Sequence, residues 1–430
     1  MTQETHPTSM RTFTIIWLGQ MVSTIGSYMT NFALSLWAWE ITHQATALAL
    51  VGFFSQLPSL FIVPFAGVII DRWNRKLLLM LCDTVAGFSS IAILLLYLTG
   101  HLQIWHLYVI AGINGTFGQI QTLAYSASIS LLVPKEHYTR SSSLQSLLHY
   151  GSNIIAPALA GSLYYIIGLL GILVIDLTTF AIAISTMLLV RFPQRADSER
   201  KSTDQIQPSI WQEAIFGFRY IFKNSSLLAL LVYFSLFSLA HDLGAAIYKP
   251  MIFARTANNA AVLGSILSAA GVGGVVGALI LTTWGGPKRK INGMLAGMVG
   301  AGFCKIIFGL AQTPVVWISA QFCSSLNFPL MGCCNDAIWL NKVKPEIQGR
   351  VFATRSVVTL VTSAIAYLIA GVLADRIFAP AMMPGGILTP IFGGLFGTGA
   401  GAGIALLYVI TSVLLLLLGL SGYLLPALRD

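Results

Sequence analysis

Long apolar runs alternate with short polar breaks along most of the chain. An α-helix rises about 1.5 Å per residue, so about 20 apolar residues cross the hydrocarbon of a bilayer. The pattern predicts twelve spans, at 12–39, 46–70, 77–99, 107–133, 144–167, 169–191, 226–248, 261–284, 291–311, 314–340, 351–374 and 402–425. The first run is too long for the core of a signal peptide, so we expect it to be an uncleaved span.

The longest polar break divides the predicted spans into two groups of six. We therefore expect an N-terminal bundle at 1–191, a cytoplasmic linker at 192–225 and a C-terminal bundle at 226–430. Within the linker, "IWQEAIFGFRYIFK" (210–223) repeats bulky apolar residues at helical spacing: Trp211, Ile215, Phe218 and Phe222. This stripe favours an amphipathic helix on the inner membrane surface, and a solvated linker helix is the alternative.

The composition supports the same class of protein. Hydrophobic residues make up 56% of the 430 positions and charged residues 9%, with a mean hydropathy of +0.79. These values are typical of an all-α polytopic membrane protein and argue against a soluble enzyme, so we expect no catalytic residues. The five cysteines lie in apolar runs without metal-ligand spacing, and there is no Walker phosphate loop, so we expect no metal site and no ATP-driven cycle.

The basic residues are distributed unevenly between the predicted loops. With the N-terminus in the cytoplasm, 20 of the 24 Lys and Arg residues fall inside. Only Lys249, Arg255 and Arg376 fall outside, and Lys305 lies within a span. This bias predicts cytoplasmic N- and C-termini in a plasma (inner) membrane. The net charge of +9 is explained by topology, so we expect no nucleic acid as a partner. The expected partners are membrane lipids and a small-molecule substrate. We expect the protein to be a monomer.

The break after the second span, "GVIIDRWNRK" (67–76), carries four charges between apolar runs. Asp71 can accept hydrogen bonds from the free amides at the start of the third span. Arg72, Arg75 and Lys76 oppose the helix dipole there, so topology, lipid headgroups or acidic partners must explain them. A near copy, "GVLADRIFAP" (371–380), should face outside and ends in apolar residues, which favours a look-alike without the same role.

The second half has its own basic break at the equivalent position, "GGPKRK" (285–290), which contains Lys288 and Arg289. Six-helix halves related by a repeat are a common plan of secondary transporters.

These residues resemble the major facilitator superfamily, whose loop between helices two and three has a Gly, an Asp, an Arg and further basic residues in this order. The match covers Gly67, Asp71, Arg72, Arg75 and Lys76, while Asn74 stands where the superfamily prefers Gly. More narrowly, "WLGQMVSTIG", "LPSLFIVPFAGVIIDRWNRK", "IDLTTFAIA" and "IQGRVFATR" resemble the macrolide-efflux branch, to which enterobactin exporters are also similar. The resemblance implies two six-helix bundles, alternating access and a cytoplasmic conformational latch at this loop, with Lys288 and Arg289 as its pseudo-repeat.

The fifth span contains "GSNIIAPALAG" (151–161), in which Gly151, Pro157 and Gly161 permit close contact and a bend. The pattern partly resembles that of antiporters of the superfamily, and ordinary helix packing is the alternative.

Ionisable residues inside a membrane are costly, so they are candidates for function. Asp242 lies in the outer half of the seventh span beside His241, and we expect these two to serve in proton coupling, with a structural ion pair or polar cap as the alternative. The other intramembrane ionisable residues are Asp83, Asp176, Lys305 and Asp336.

Depth along the spans suggests roles for these four residues. Asp83 and Asp336 lie near inner ends, so we expect structural roles at an inner gate, Asp83 with a basic residue of another helix and Asp336 with Arg350. Lys305 lies too far towards the outer side to meet Asp336, and a structural role is expected for Asp176. The fourth span lacks the Arg found in many drug antiporters, so polar residues of the first and fourth spans become cavity candidates: Gln20, Asn31, Asn114, Gln119 and Tyr125.

The sequence thus favours a secondary exporter of a hydrophobic or amphiphilic molecule, macrolide-like or siderophore-like, that exchanges it for protons without a cofactor. An importer or facilitator on the same fold, and a non-transporting sensor or scaffold, are the alternatives. The glycine-rich apolar loop at 375–401 is expected on or in the outer leaflet.

Overall fold

The computed structural model describes residues 10–133, 138–190, 210–344 and 347–425, and this part is almost entirely helical, without strands. Its helices are α1 Met10–Thr42, α2 Ala45–Arg72, α3 Arg75–Leu98, α4 Ile104–Leu132, α5 Tyr138–Leu189, α6 Ile210–Lys223, α7 Ser225–Arg255, α8 Ala260–Trp284, α9 Lys290–Leu310, α10 Pro314–Lys342, α11 Gln348–Leu373, α12 Thr389–Phe396 and α13 Ala400–Ser421.

Helix α5 contains two spans joined at one glycine. Gly168 has φ 63° and ψ −171°, a backbone conformation that residues with a Cβ rarely adopt. The break falls between the predicted spans at 144–167 and 169–191. The two arms of α5 therefore act as the fifth and sixth membrane spans.

Eight helical stretches in the described part are long and apolar enough to cross a membrane, with Leu147–Leu189 counted as one of them. Helices α1, α4 and α10 are outside this set although they have 33, 29 and 29 residues. They carry polar side chains such as Gln20, Gln121 and Asn335 within their length. The expected all-α polytopic membrane fold is confirmed.

The halves meet mainly through two helix pairs, α2 with α11 and α5 with α8, and α1 and α2 make smaller contacts with α7. Gly161 of α5 lies so close to α8 that a Cβ atom there would stand 2.7 Å from the carbonyl oxygen of Ala260. Gly264 faces the carbonyl of Pro157 in the same contact, whereas Gly151 meets only its own helix, at Leu147. The predicted packing stretch therefore joins the two halves at Pro157 and Gly161 and not at Gly151.

The linker helix α6 has the predicted bounds and packs against the C-terminal half. Gly217 contacts Thr354 of α11, and the Arg350 guanidinium lies 5.3 Å from the centre of the Phe216 ring. Ile221 is buried, while Phe222 of the predicted stripe is exposed. The side chains of Trp211 and Ile215 lie outside the described residues.

The segment after α11 is more ordered than the loop expected at 375–401. It begins with a π-helix, Ala374–Phe378, and a short turn, Ala379–Ala381, and later forms α12. The Arg255 guanidinium holds it in place by donating to the carbonyls of Ala311 (2.7 Å) and Phe396 (3.0 Å). Helical bonding inside the segment explains how such an apolar sequence satisfies its backbone.

Candidate functional site

A cavity of about 500 Å³ lies between α1, α5, α7 and α8, and two further cavities are lined in part by the polar helices α1 and α4. One of these two, the N-terminal cavity, has a volume of about 300 Å³ and is enclosed by the first half. The other, the central cavity, has a volume of about 460 Å³ and is lined by both halves, including Lys249 and Tyr367 of the second. Asp176 lines both, so the two cavities adjoin at this carboxylate.

Asp83 is a buried carboxylate on α3 that lines the N-terminal cavity. It accepts hydrogen bonds from the side-chain amides of Gln20 on α1 (2.7 Å) and Gln121 on α4. The basic partner expected for Asp83 is thus wrong for the described residues, where two neutral donors satisfy its oxygens. Gln20, a predicted cavity residue, lines the same cavity and positions this carboxylate.

Asp176 lies on the second arm of α5 and is also buried. The hydroxyl groups of Ser90 (2.7 Å) and Ser27 (3.2 Å) donate to its two oxygens. The sequence suggested only a structural role for this residue, but its position between the cavities also makes it available to a bound molecule. Ser27 and Ser90 gave no sequence signal, because single serines are common in membrane helices.

Four of the five predicted cavity residues line the cavities. Asn31 and Asn114 line the central cavity, and Asn114 accepts a hydrogen bond from the Ser89 hydroxyl (3.0 Å). Tyr125, like Gln20, lines the N-terminal cavity. Gln119 lines neither of the two, because it lies on another side of α4.

Asp242 and Lys305 are brought together in the C-terminal half. Asp242 on α7 accepts a hydrogen bond from the Ser363 hydroxyl on α11. Lys305 on α9 is 6% exposed, donates to the Tyr408 hydroxyl (3.4 Å) and lies close enough to Asp242 for their charges to interact. As expected, Lys305 does not pair with Asp336, whose ion-pair partner is Arg355. The structure adds the proximity to Asp242, which the sequence did not predict.

His241 precedes Asp242 but faces aromatic neighbours. Its ring is nearly parallel to that of Phe237 (centroids 6.4 Å apart) and tilted against Phe328 (5.0 Å). Its Nδ1 atom is buried and has no hydrogen-bond partner in the described part of the chain. The ring therefore packs between α7 and α10.

Asp336 forms an ion pair with Arg355 (2.8 Å), and its side chain is 59% exposed. The pairing with Arg350 that we expected is replaced by one with Arg355, since the Arg350 guanidinium packs over Phe216. Exposure reduces the energetic importance of such a pair. A gate role for Asp336 stays a prediction.

The predicted cytoplasmic latch is described only in part. The side chains of Gly67, Asp71 and Arg72 lie outside the described residues. Asn74 takes the capping role expected of Asp71, because its side-chain oxygen accepts from the amides of Lys76 (3.0 Å) and Leu77 (3.4 Å). This role explains why an Asn can stand where the superfamily prefers Gly.

The basic residues of this loop differ in their surroundings. Lys76 donates to the carbonyl of Val190 (2.6 Å) at the end of α5, a favourable position for a cation at a helix C-terminus. Arg75 is half-buried, whereas Lys288 and Arg289 of the second half are exposed. Their function as a latch stays a prediction.

The halves also touch at the ends of the helices that are predicted to face outside, which we call the outer face. The Trp39 indole donates to the side chain of Asn258 (2.8 Å), and the Tyr165 hydroxyl donates to the Asn258 carbonyl (2.8 Å). These bonds join α1 and α5 to the turn between α7 and α8, so the two halves are in direct contact at the outer face.

Comparison with known proteins identifies the family. The sequence profile of the Major Facilitator Superfamily matches residues 16–366. Macrolide efflux protein A of Streptococcus pyogenes is 27% identical over 368 residues, which cover 85% of this chain and 90% of that protein. The enterobactin exporter EntS of Shigella flexneri is 21% identical and covers 75% of this chain and 73% of its own length.

Solved structures share the fold. A bacterial homolog of the human lysosomal transporter Spinster, in an inward-facing and unoccupied conformation, superposes with a TM-score of 0.70 at 15% identity over 97% of both chains. The nucleoside transporter NupG gives 0.66 at 12% identity over 95% of this chain and 98% of its own. The chain therefore belongs to the Major Facilitator Superfamily and is a membrane transporter, not an enzyme.

Proposed function

We propose that the transporter exports a hydrophobic or amphiphilic small molecule, macrolide-like or siderophore-like, in exchange for protons. The observation that carries this proposal is the cluster of Asp242, Ser363 and Lys305 on three helices of the C-terminal half. The similarity to macrolide efflux protein A and to EntS supports the direction and the substrate class.

The chemistry of the cluster suits proton exchange. A charged Asp242 is stabilised by the nearby Lys305 ammonium, and a protonated Asp242 leaves that ammonium without its counter-charge. The helices that carry the two residues therefore have different preferred arrangements in the two protonation states. Because α11 also forms the contact with α2, a change at Ser363 can be passed to the interface between the halves.

The substrate would bind in the central cavity and reach towards Asp176. Both halves line this cavity, which alternating access requires. Polar groups such as Asn31 and Asn114 would orient the molecule, and apolar walls would bury the rest. We expect the protein to work as a monomer in the plasma membrane, with cytoplasmic termini and the proton gradient as its energy source.

Transport into inverted vesicles tests the proposal. A panel that includes a macrolide and a catecholate siderophore should show uptake that requires an imposed pH gradient, and Asp242→Asn should reduce it to the level of empty vesicles. Thr359→Ala, whose hydroxyl donates to the carbonyl of Arg355 in its own helix, is the control and should keep uptake. Uptake that persists after collapse of the gradient would favour a facilitator, and equal activity of Asp242→Asn would remove this residue from the coupling.

A further inference from the structure

The string "GVLADRIFAP" at 371–380 contacts the other half of the protein. Asp375 lies in the π-helix that follows α11, and its two oxygens accept hydrogen bonds from the backbone amides of Ala45 (2.9 Å) and Thr46 (2.7 Å). These amides are the first two of α2, which belongs to the N-terminal half. One carboxylate therefore binds the start of a helix across the interface.

The first backbone amides of α2 need a hydrogen-bond acceptor from another part of the protein. The first four amides of a helix have no acceptor within the helix, and a negative charge is favourable there. The first turn of α2 has no acidic residue. The backbone amide of Gln44, the residue before this helix, donates to the Thr42 hydroxyl (3.3 Å). Asp375 thus supplies from the opposite half what an N-cap residue usually supplies locally.

Small residues bring the two helices close enough for this contact. A Cβ atom at Gly371, one turn before Asp375, would overlap the backbone of Thr46 and stand 3.1 Å from the Cβ of Ala49. Deeper in the same interface, a Cβ atom at Gly52 would stand 2.6 Å from the ring of Tyr367. Both contacts are between α2 and α11, so the interface is built for close approach along several turns.

The π-helix explains how Asp375 reaches α2. The amide of Ala379 bonds to the carbonyl of Ala374, five residues back, and Pro380 has no amide to offer to the carbonyl of Arg376. A wider turn of this kind changes the direction of the side chains around it and often occurs at functional positions. Asp375 is half-buried against α2, whereas Arg376 is exposed.

We propose that Asp375 is an outer latch, a positioning residue that holds the two halves together at the outer face and must release α2 before this face opens. The release exposes two amides and a carboxylate to water, so the bond favours the conformation that is closed outside. This inference requires only that the halves separate at the outer face. It does not depend on the substrate, the direction or the coupling ion proposed above.

Distance measurements on the full-length protein test the latch. Spin labels on His101 and Met383, both exposed and on opposite halves at the outer face, would report separation in a cysteine-free background that retains transport. Asp375→Ala should increase the ratio of open to closed populations roughly 5- to 30-fold, the range expected for loss of a helix cap. Asp375→Asn keeps one acceptor oxygen and should give a smaller increase, while Arg376→Gln should leave the distances unchanged.

A cap introduced within the N-terminal half distinguishes a residue that holds the halves together from one that only stabilises α2. Gln44→Asp in the Asp375→Ala background places a carboxylate at the N-cap position of α2 within the same half. It should restore the melting temperature but leave the outer face open. Closed distances in this double variant, or unchanged distances in both Asp375→Ala and Asp375→Asn, would overturn the proposal.

Discussion

The two halves of the transporter bury their carboxylates in different ways. In the N-terminal half, Asp83 and Asp176 are held by neutral donors, two amides and two hydroxyl groups. In the C-terminal half, Asp242 has one hydroxyl donor and a lysine whose charge interacts with it. The first arrangement stabilises a charge by hydrogen bonds, and the second stabilises it by an opposite charge.

Protonation of a buried carboxylate therefore has different consequences in the two halves. Adding a proton to Asp83 weakens two hydrogen bonds but leaves no new unbalanced charge. Adding a proton to Asp242 leaves the ammonium of Lys305 buried without its counter-charge, which is more costly. We therefore expect coupling to depend on the C-terminal half and substrate recognition to depend on the cavities around Asp176.

The largest effect is expected when the charge balance of the C-terminal half is broken. Lys305→Met removes the cation whose charge interacts with Asp242, and should lower the free energy of unfolding and abolish gradient-driven transport. Thermal unfolding in detergent and vesicle uptake measure the two effects. The double variant Lys305→Met/Asp242→Asn should regain most of the stability but not the transport, and failure to regain it would argue against a charge pair.

In the N-terminal half, Asp83→Leu should be the most damaging change. It removes the acceptor of the buried Gln20 amide and leaves the Gln121 amide with a long bond to the Gln20 side-chain oxygen (3.4 Å), at a cost of about 2 kcal/mol. Asp83→Asn keeps an acceptor oxygen and should lose less than half as much. Equal losses in the two variants, measured by thermal unfolding, would show that the charge of Asp83 matters more than its hydrogen bonds.

Asp176→Asn should affect recognition more than stability. The amide oxygen can still accept from one serine, but the charge that faces both cavities is lost. We expect a several-fold change in the substrate concentration that gives half-maximal transport, with the dependence on the pH gradient retained. A loss of gradient dependence with normal substrate affinity would move the coupling role to the N-terminal half.

The smallest effect is expected for Ser363→Ala. It removes one donor to Asp242 while the charge of Lys305 remains, at a cost of about 1 kcal/mol. Transport should persist with a shifted pH profile. Thr359→Ala on the same helix, whose hydroxyl bonds only to the carbonyl of Arg355 one turn before (3.0 Å), is the matched control and should leave that profile unchanged.

Several features of the candidate site were readable from the sequence. Within the described part of the chain, the predicted intramembrane carboxylates include each one that the structure brings to a cavity or to Lys305, because an isolated charge in an apolar run is conspicuous. The hydrogen-bond partners of these carboxylates could not be predicted from the sequence. Gln20 and Asp83 are 63 residues apart, and Ser363 and Asp242 are 121 apart, so no local pattern links them.

The sequence by itself determined the spans, their break at Gly168 and the class of protein. In lipid each helix must satisfy its own backbone hydrogen bonds, so membrane crossing is decided by local composition. Only the tertiary structure decided which groups meet. The stretches 67–76 and 371–380 share a Gly and an Asp-Arg pair, yet Asn74 of the first caps the start of α3 that follows it, whereas Asp375 of the second binds the start of α2 in the other half. Asp375 lies 330 and 329 residues along the chain from Ala45 and Thr46, whose amides it binds, so helix packing and not local sequence brings these groups together.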